Sequence, residues 1–143
     1  MDKLSRHIDM VDAVLRIYVD ALHPYLPPLA LFGVYNNKSR IKRDTSILVE
    51  DGSLVGAVTF ADRNCATSLD YLVVAPEYRG QGFGSQLLAY VERQAKHPVV
   101  MARVFDIGGS HTMSWYAQHG FTEVSRRLGA LHPEVIMKKD LYD

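Results

Sequence analysis

Residues 72–85 read Leu-Val-Val-Ala-Pro-Glu-Tyr-Arg-Gly-Gln-Gly-Phe-Gly-Ser. An apolar, β-branched run enters a turn with glycine at 80, 82 and 84, and an amphipathic pattern begins at once. This order calls for a strand, a tight turn and a helix in immediate succession. The first turn of a helix has N–H groups without intrahelical acceptors, and its dipole favours negative charge. Glycine lets the backbone adopt positive φ and come close to a ligand. The segment therefore predicts a loop that cradles a pyrophosphate. A buried strand turning into a helix, with glycines for packing alone, would carry the same pattern.

Two common phosphate loops do not fit. The P-loop needs a Gly-Lys pair, and the chain has none. The dinucleotide fingerprint begun at Gly80 needs glycine at 85, where Ser85 stands. That fingerprint also needs a preceding βαβ unit, and the segment before the loop reads as antiparallel hairpins.

The spacing that fits is Arg79-x-x-Gly82-x-Gly84, preceded by Val74-x-Pro76. It resembles the acetyl-CoA signature of the GNAT acetyltransferase superfamily. Ser114-Trp115-Tyr116-Ala117-Gln118-His119-Gly120-Phe121 resembles that family's second motif, an aromatic-Tyr-x-x-x-Gly-Phe helix end. The two stand in the family's order and separation, and the resemblance spans roughly residues 45–140.

Size and charge agree with such a reading. A chain of 143 residues is expected to form a single domain, residues 1–143, that buries about two-thirds of its unfolded surface. Sixteen basic residues balance sixteen acidic ones, so no charge excess favours nucleic acid. One cysteine makes no internal disulfide and fits a reducing compartment. Residues 1–7 lack the apolar core of a signal peptide, and no apolar run reaches the ~18 residues of a membrane span. The expectation is a cytoplasmic enzyme, with no membrane or nucleic-acid partner.

Periodicity gives the element order. Ile8, Val11, Leu15, Tyr18 and Leu22 share one helical face, which predicts a helix over 6–22. Pro24, Pro27 and Pro28 end it. Residues 29–36 read as a short helix or an irregular apolar segment, and 37–45 as a polar loop. Strands are predicted at 46–50, 54–61 and 66–74, the first two joined through the hairpin signal Asp51-Gly52-Ser53. A helix with Leu87, Leu88, Val91 and Ala95 on one face follows the glycine loop, and Pro98 ends it. Residues 99–105 read as a buried strand and 111–119 as a short helix with Gly120 at its C-terminal cap. Strands at 122–128 and 134–141 close the chain. The fold class is α/β: a mixed, mostly antiparallel central sheet flanked by helices. Its one parallel pair lies on either side of the long helix; the family resemblance implies that this pair is splayed.

The resemblance also implies roles. The backbone of Leu72, Val73 and Val74 would pair with the pantetheine arm of acetyl-CoA, the co-substrate. Arg79, Gly80, Gln81, Gly82, Phe83, Gly84 and Ser85 would hold its pyrophosphate. Tyr116 would donate a hydrogen bond or a proton to the departing thiolate, or else simply pack. Asp70 stands where many members carry a carboxylate base, or else is a sheet-surface residue. Asp106, His111 and His119 are further candidates, the histidines reading as surface residues. Positioning alone, with a proton leaving through water, needs no side-chain base.

The chain departs from the pattern at Gly109, where members often have Asn; Gly108-Gly109-Ser110 could supply backbone donors instead. No histidine spacing suggests a metal, Cys65 has no histidine partner motif, and Lys38–Arg43 reads as a solvated basic loop, or else as a contact for phosphate or an acidic acceptor. The implied activity is acetyl transfer to a primary amine in a ternary complex, on a small molecule or a peptide. The family places the acceptor near residues 20–45 and 126–134, where Pro24, Tyr25, Pro27, Pro28, Phe32 and Tyr35 suggest an apolar wall. An acyl-CoA-binding sensor without turnover is the alternative. A homodimer is a family expectation only.

Overall fold

The structure, a computed structural model, describes residues 1–22, 33–105, 111–128 and 133–142. Strand β1 (Asp2–Lys3) is followed by two 3-10 turns and helix α1 (Val11–Leu22). Helix α2 (Lys38–Asp44) leads into β2 (Thr45–Glu50), β3 (Ser53–Asp62) and β4 (Thr67–Val74). Helix α3 (Phe83–Gln94), β5 (Val99–Phe105), α4 (Thr112–Gln118), β6 (Thr122–Leu128) and β7 (Pro133–Asp140) complete the order. The seven strands form one sheet in the order β1-β2-β3-β4-β5-β7-β6. Every pairing is antiparallel except β4 with β5.

Local chemistry sets the turns. Asp51 and Gly52 both have positive φ, as a two-residue type I′ hairpin requires, and Glu50 pairs with Ser53 across it. At the other end of β3, Asp62 accepts from Thr67 Oγ1 (2.5 Å) and from the backbone N–H of Lys96 (3.1 Å). That carboxylate fastens the exit of α3 to the β3–β4 turn.

Alternating strand residues build two cores, one on each face. Val58, Leu69, Val100, Ala102 and Val104 pack under Leu87, Leu88 and Val91 of α3. Ile47, Ala57, Tyr71 and Val73 pack under Val11, Val14, Leu15 and Tyr18 of α1, with Ile41 of α2. Tyr18 reaches through its core to a buried hydroxyl chain: its Oη lies 2.8 Å from Thr59 Oγ1, which lies 2.6 Å from Thr45 Oγ1.

Three expectations change. The helix predicted from residue 6 starts at Val11, and the 3-10 turns before it alter the phase, so Ile8 is 67% exposed. The predicted loop at 37–45 is α2, which buries only Ile41 and so shows no apolar stripe. Strand β1 pairs with β2 through only two residues, too few for an alternation to show. Of 29–36, the structure describes a helical turn over 33–36; Pro24, Tyr25, Pro27, Pro28 and Phe32 lie outside the described residues. No helix among the described residues is long and apolar enough to cross a membrane.

Candidate active site

The site begins where β4 leaves β5. The parallel pairing covers Thr67–Val100, Ser68–Met101 and Leu69–Ala102, and goes no further. On its other edge β4 stays paired with β3 through Val74, but the register shifts: Thr59 faces Tyr71 and Phe60 faces Leu69. Asp70 is the extra residue of this bulge. A bulge bends its strand and re-aims side chains. Tyr71 and Val73 therefore join the α1 core, while Leu72 and Val74 turn back to the α3 face. Past Leu69, the β5-facing edge of β4 opens into a cleft.

That cleft has a volume of about 600 Å³. Leu72 and Val74 form one wall, the glycine loop its end, and Trp115 and Tyr116 of α4 the opposite wall. The glycines divide by function. Gly80 (φ +78°) and Gly82 (φ +86°) hold left-handed backbone, and a Cβ at either would meet open space. They are needed for conformation, which turns the loop into the first turn of α3. Gly84 has no such φ, but a Cβ there would stand 3.2 Å from Trp115 Cζ2. It is needed for clearance. The first intrahelical bond runs from Gln86 N–H to the Gly82 carbonyl (3.2 Å), so the N–H groups of Phe83, Gly84 and Ser85 precede the ladder. Arg79 Nε donates to the Val74 carbonyl (3.1 Å), which ties the loop to the end of β4. Among the described residues, no carboxylate lines the cleft. This lining fits a pyrophosphate with an amide-bearing arm.

Helix α4 ends in a Schellman turn. Phe121 N–H donates to the Tyr116 carbonyl (3.1 Å), and Gly120 N–H to that of Ala117 (3.1 Å). Gly120 has φ +93°, and the rings of Tyr116 and Phe121 meet at 5.1 Å, the hydrophobic contact that accompanies such turns. The spacing Tyr-x-x-x-Gly-Phe is thus a helix stop that locks the tyrosine in place. Tyr116 is buried between Trp115 and Phe121, and burial pushes its phenol far above the usual range. It stays protonated, so it can donate a hydrogen bond and does not act as a base.

Asp70 lies on the other side of the sheet opening. It is buried, accepts from Ser68 Oγ (3.2 Å), pairs with Arg40 and stands 3.7 Å from Arg63 Nη2. Two guanidinium groups already compensate its charge. The arrangement suits an anchor for cations more than a shuttle for protons. His111 is exposed at the cleft. His119, read from sequence as a surface residue, is partly exposed and lies 2.8 Å from Ser85 Oγ. Asp106 and Gly108-Gly109-Ser110 lie outside the described residues. Tyr78 and Phe83 pack edge to face at 6.0 Å. Sequence reasoning missed the arginines around Asp70 because they come from separate elements.

Comparison with known proteins gives a consistent picture. The family model described as "Acetyltransferase (GNAT) domain" matches residues 42–123, more than half of the chain. No curated protein matches. A GNAT-family acetyltransferase from Bacillus cereus is 21% identical with a TM-score of 0.71, covering 95% of this chain and 94% of that one. PaiA N-acetyltransferase from Thermoplasma acidophilum, solved with coenzyme A, is 17% identical with a TM-score of 0.69, covering 92% and 90%. A GNAT family acetyltransferase from Elizabethkingia anophelis, solved with acetyl-CoA bound, is 16% identical with a TM-score of 0.62, covering 68% and 75%. At these identities the likeness is one of fold.

Proposed function

The chain belongs to the GNAT acetyltransferase family, and from that premise we propose that it moves an acetyl group from acetyl-CoA to a primary amine by direct attack. The observation that carries this reading is the parting of β4 from β5 after Leu69, above a glycine loop that opens α3. Two solved relatives by fold carry coenzyme A or acetyl-CoA, which supports the same co-substrate here.

In this reading the pyrophosphate rests on the N–H groups around Gly82–Ser85 and near Arg79. The pantetheine arm adds to the open edge at Leu72–Val74 as an extra strand. The thioester then lies between β4 and Tyr116. The amine enters from the Asp70 side, and its nitrogen lone pair attacks the thioester carbon. The C–S bond breaks, the amine nitrogen gives its proton to water, and the thiolate, held by a hydrogen bond from Tyr116, takes up a proton from water. A thiol has a pKa of roughly 8.5, so the thiolate is a fair leaving group and the phenol assists it. Asp70 holds Arg40 and Arg63 in place. Binding orders the two reactants, which is itself a large part of the rate.

Thiol release on a panel of primary amines tests the activity. Turnover that requires both acetyl-CoA and an amine supports the reading. Tight acetyl-CoA binding with no turnover on any amine would favour a sensor.

A further inference from the structure

We infer that the arginine-lined depression on the α1 face of the β4–β5 opening holds an anionic group of the acceptor, which is a small primary amine bearing a carboxylate or phosphate. The inference rests on the acetyl transfer proposed above and names its substrate class.

The depression has a volume of about 250 Å³, the scale of an amino acid rather than a folded partner. Arg40 of α2, Arg63 of the β3–β4 turn, Arg103 of β5 and Arg127 of β6 converge on it. Asp70 takes up part of the charge of Arg40 and Arg63. Glu134 stands 3.8 Å from Arg103 Nε and 2.8 Å from Arg127 Nη2. Among the described residues, Arg40 and Arg63 share the single carboxylate of Asp70, which leaves positive charge at this end of the depression. Asp44, 3.7 Å from Arg40, does not remove it, because Asp44 also bonds Arg43. Burial, then the neighbouring Arg63 and Arg103, press the Arg40 guanidinium below its ordinary pKa. Arg40 Nε is buried and makes no hydrogen bond. A buried donor atom without a hydrogen-bond acceptor is costly.

The position suits an acceptor. Of the residues that line the depression, Ala102 belongs to the last pair of β4 and β5, and Ser68 and Asp70 flank its partner Leu69. Leu72, two residues beyond Asp70, lines the cleft on the opposite face, about 7 Å further along the strand. An amino acid whose carboxylate is gripped by the arginines can thus direct its amine through the opening. Arginine suits this role because its planar fork meets carboxylate and phosphate in paired hydrogen bonds. A polyamine would meet the same site with like charge.

The test is steady-state acetylation of glycine, glutamate and O-phosphoethanolamine against glycinamide and spermidine, on wild type, Arg63→Gln and the remote Arg16→Gln. The expected result is kcat/KM for an anionic acceptor about 10-fold or more above glycinamide, the scale of one charged hydrogen bond. Arg63→Gln raises KM for that acceptor with kcat nearly unchanged, and Arg16→Gln does not. A carboxylate preference separates from a phosphate preference within the panel. Preference for glycinamide or spermidine, an unmoved KM in Arg63→Gln, or turnover of acidic peptides alone would overturn the inference. If no acceptor turns over, calorimetry with succinate at saturating CoA decides: binding lost in Arg63→Gln supports it, and no binding overturns it. Acetyl-CoA binding is measured separately, so failure of the transfer reading is distinguishable.

Discussion

Ser85 Oγ lies 2.8 Å from Nε2 of His119, so the first turn of α3 is joined to the residue that caps the end of α4. The other ring nitrogen fixes the roles. His119 Nδ1 lies 2.8 Å from the Trp115 carbonyl, which can only accept, so Nδ1 carries the proton. In the neutral ring, Nε2 accepts from the Ser85 hydroxyl. The two sequence motifs, 34 residues apart at this contact, form one cleft.

His119→Ala frees the Ser85 hydroxyl at the mouth of the cleft. Acetyl-CoA affinity is expected to fall about 3- to 10-fold, the worth of one ordering hydrogen bond. Calorimetric titration checks this, and an unchanged Kd would separate the contact from cofactor binding.

Tyr116→Phe keeps the ring packing on Trp115 and Phe121 and removes only the hydrogen-bond donor. kcat should fall roughly 10-fold or more while the acetyl-CoA Kd stays within about 2-fold. Burial keeps the wild-type phenol protonated across the working range, so the pH–rate profile should show no limb from Tyr116.

Alkaline stability carries the same signature. Burial raises the phenols of both Tyr18 and Tyr116. Below pH 10 each is protonated in both states and adds no pH dependence. Above it the unfolded chain loses phenolic protons that the folded chain keeps, so stability falls as pH rises. The loss approaches about 1.4 kcal/mol per pH unit for each tyrosine. Urea midpoints at pH 9, 10 and 11 should fall more steeply for wild type than for a Tyr18→Phe/Tyr116→Phe double variant. Parallel curves would contradict the burial.

Gly56 separates packing from propensity. A Cβ there would stand 2.9 Å from the Val73 carbonyl oxygen and from Leu87 Cδ1, between β4 and α3. Gly56→Ala should cost about 1–3 kcal/mol through overpacking. Gly33→Ala, with open space and helical backbone, should be neutral or stabilise by roughly 0.5–1 kcal/mol. Chemical denaturation of both variants compares them directly.

Legibility followed the source of each signal. Strands β2–β7 and helix α3 are visible because their side chains alternate, or repeat at helical spacing, against a core. The glycine loop is visible because left-handed backbone at Gly80 and Gly82 selects for glycine. Tyr116 is visible because Gly120 and Phe121 mark the turn that fixes it. Helix α2 is hidden because a single buried residue, Ile41, holds it down. The bulge at Asp70 leaves only two adjacent buried residues as a trace. The arginine depression is hidden because its members stand at 40, 63, 103 and 127, and only folding brings them together. The pair Ser85–His119 is hidden for the same reason.

The glycine loop as an acetyl-CoA site is the central claim, and calorimetric titration of wild type and Ser85→Glu tests it. Ser85 is exposed in the first turn of α3, where a carboxylate suits the helix dipole and spares the fold. Glutamate at Gly82 would confuse the result, since that backbone is left-handed. The account predicts micromolar binding by wild type and a loss of about 10-fold or more in Ser85→Glu, from charge opposed to charge. No binding by folded wild type, or equal binding by both proteins, would contradict it.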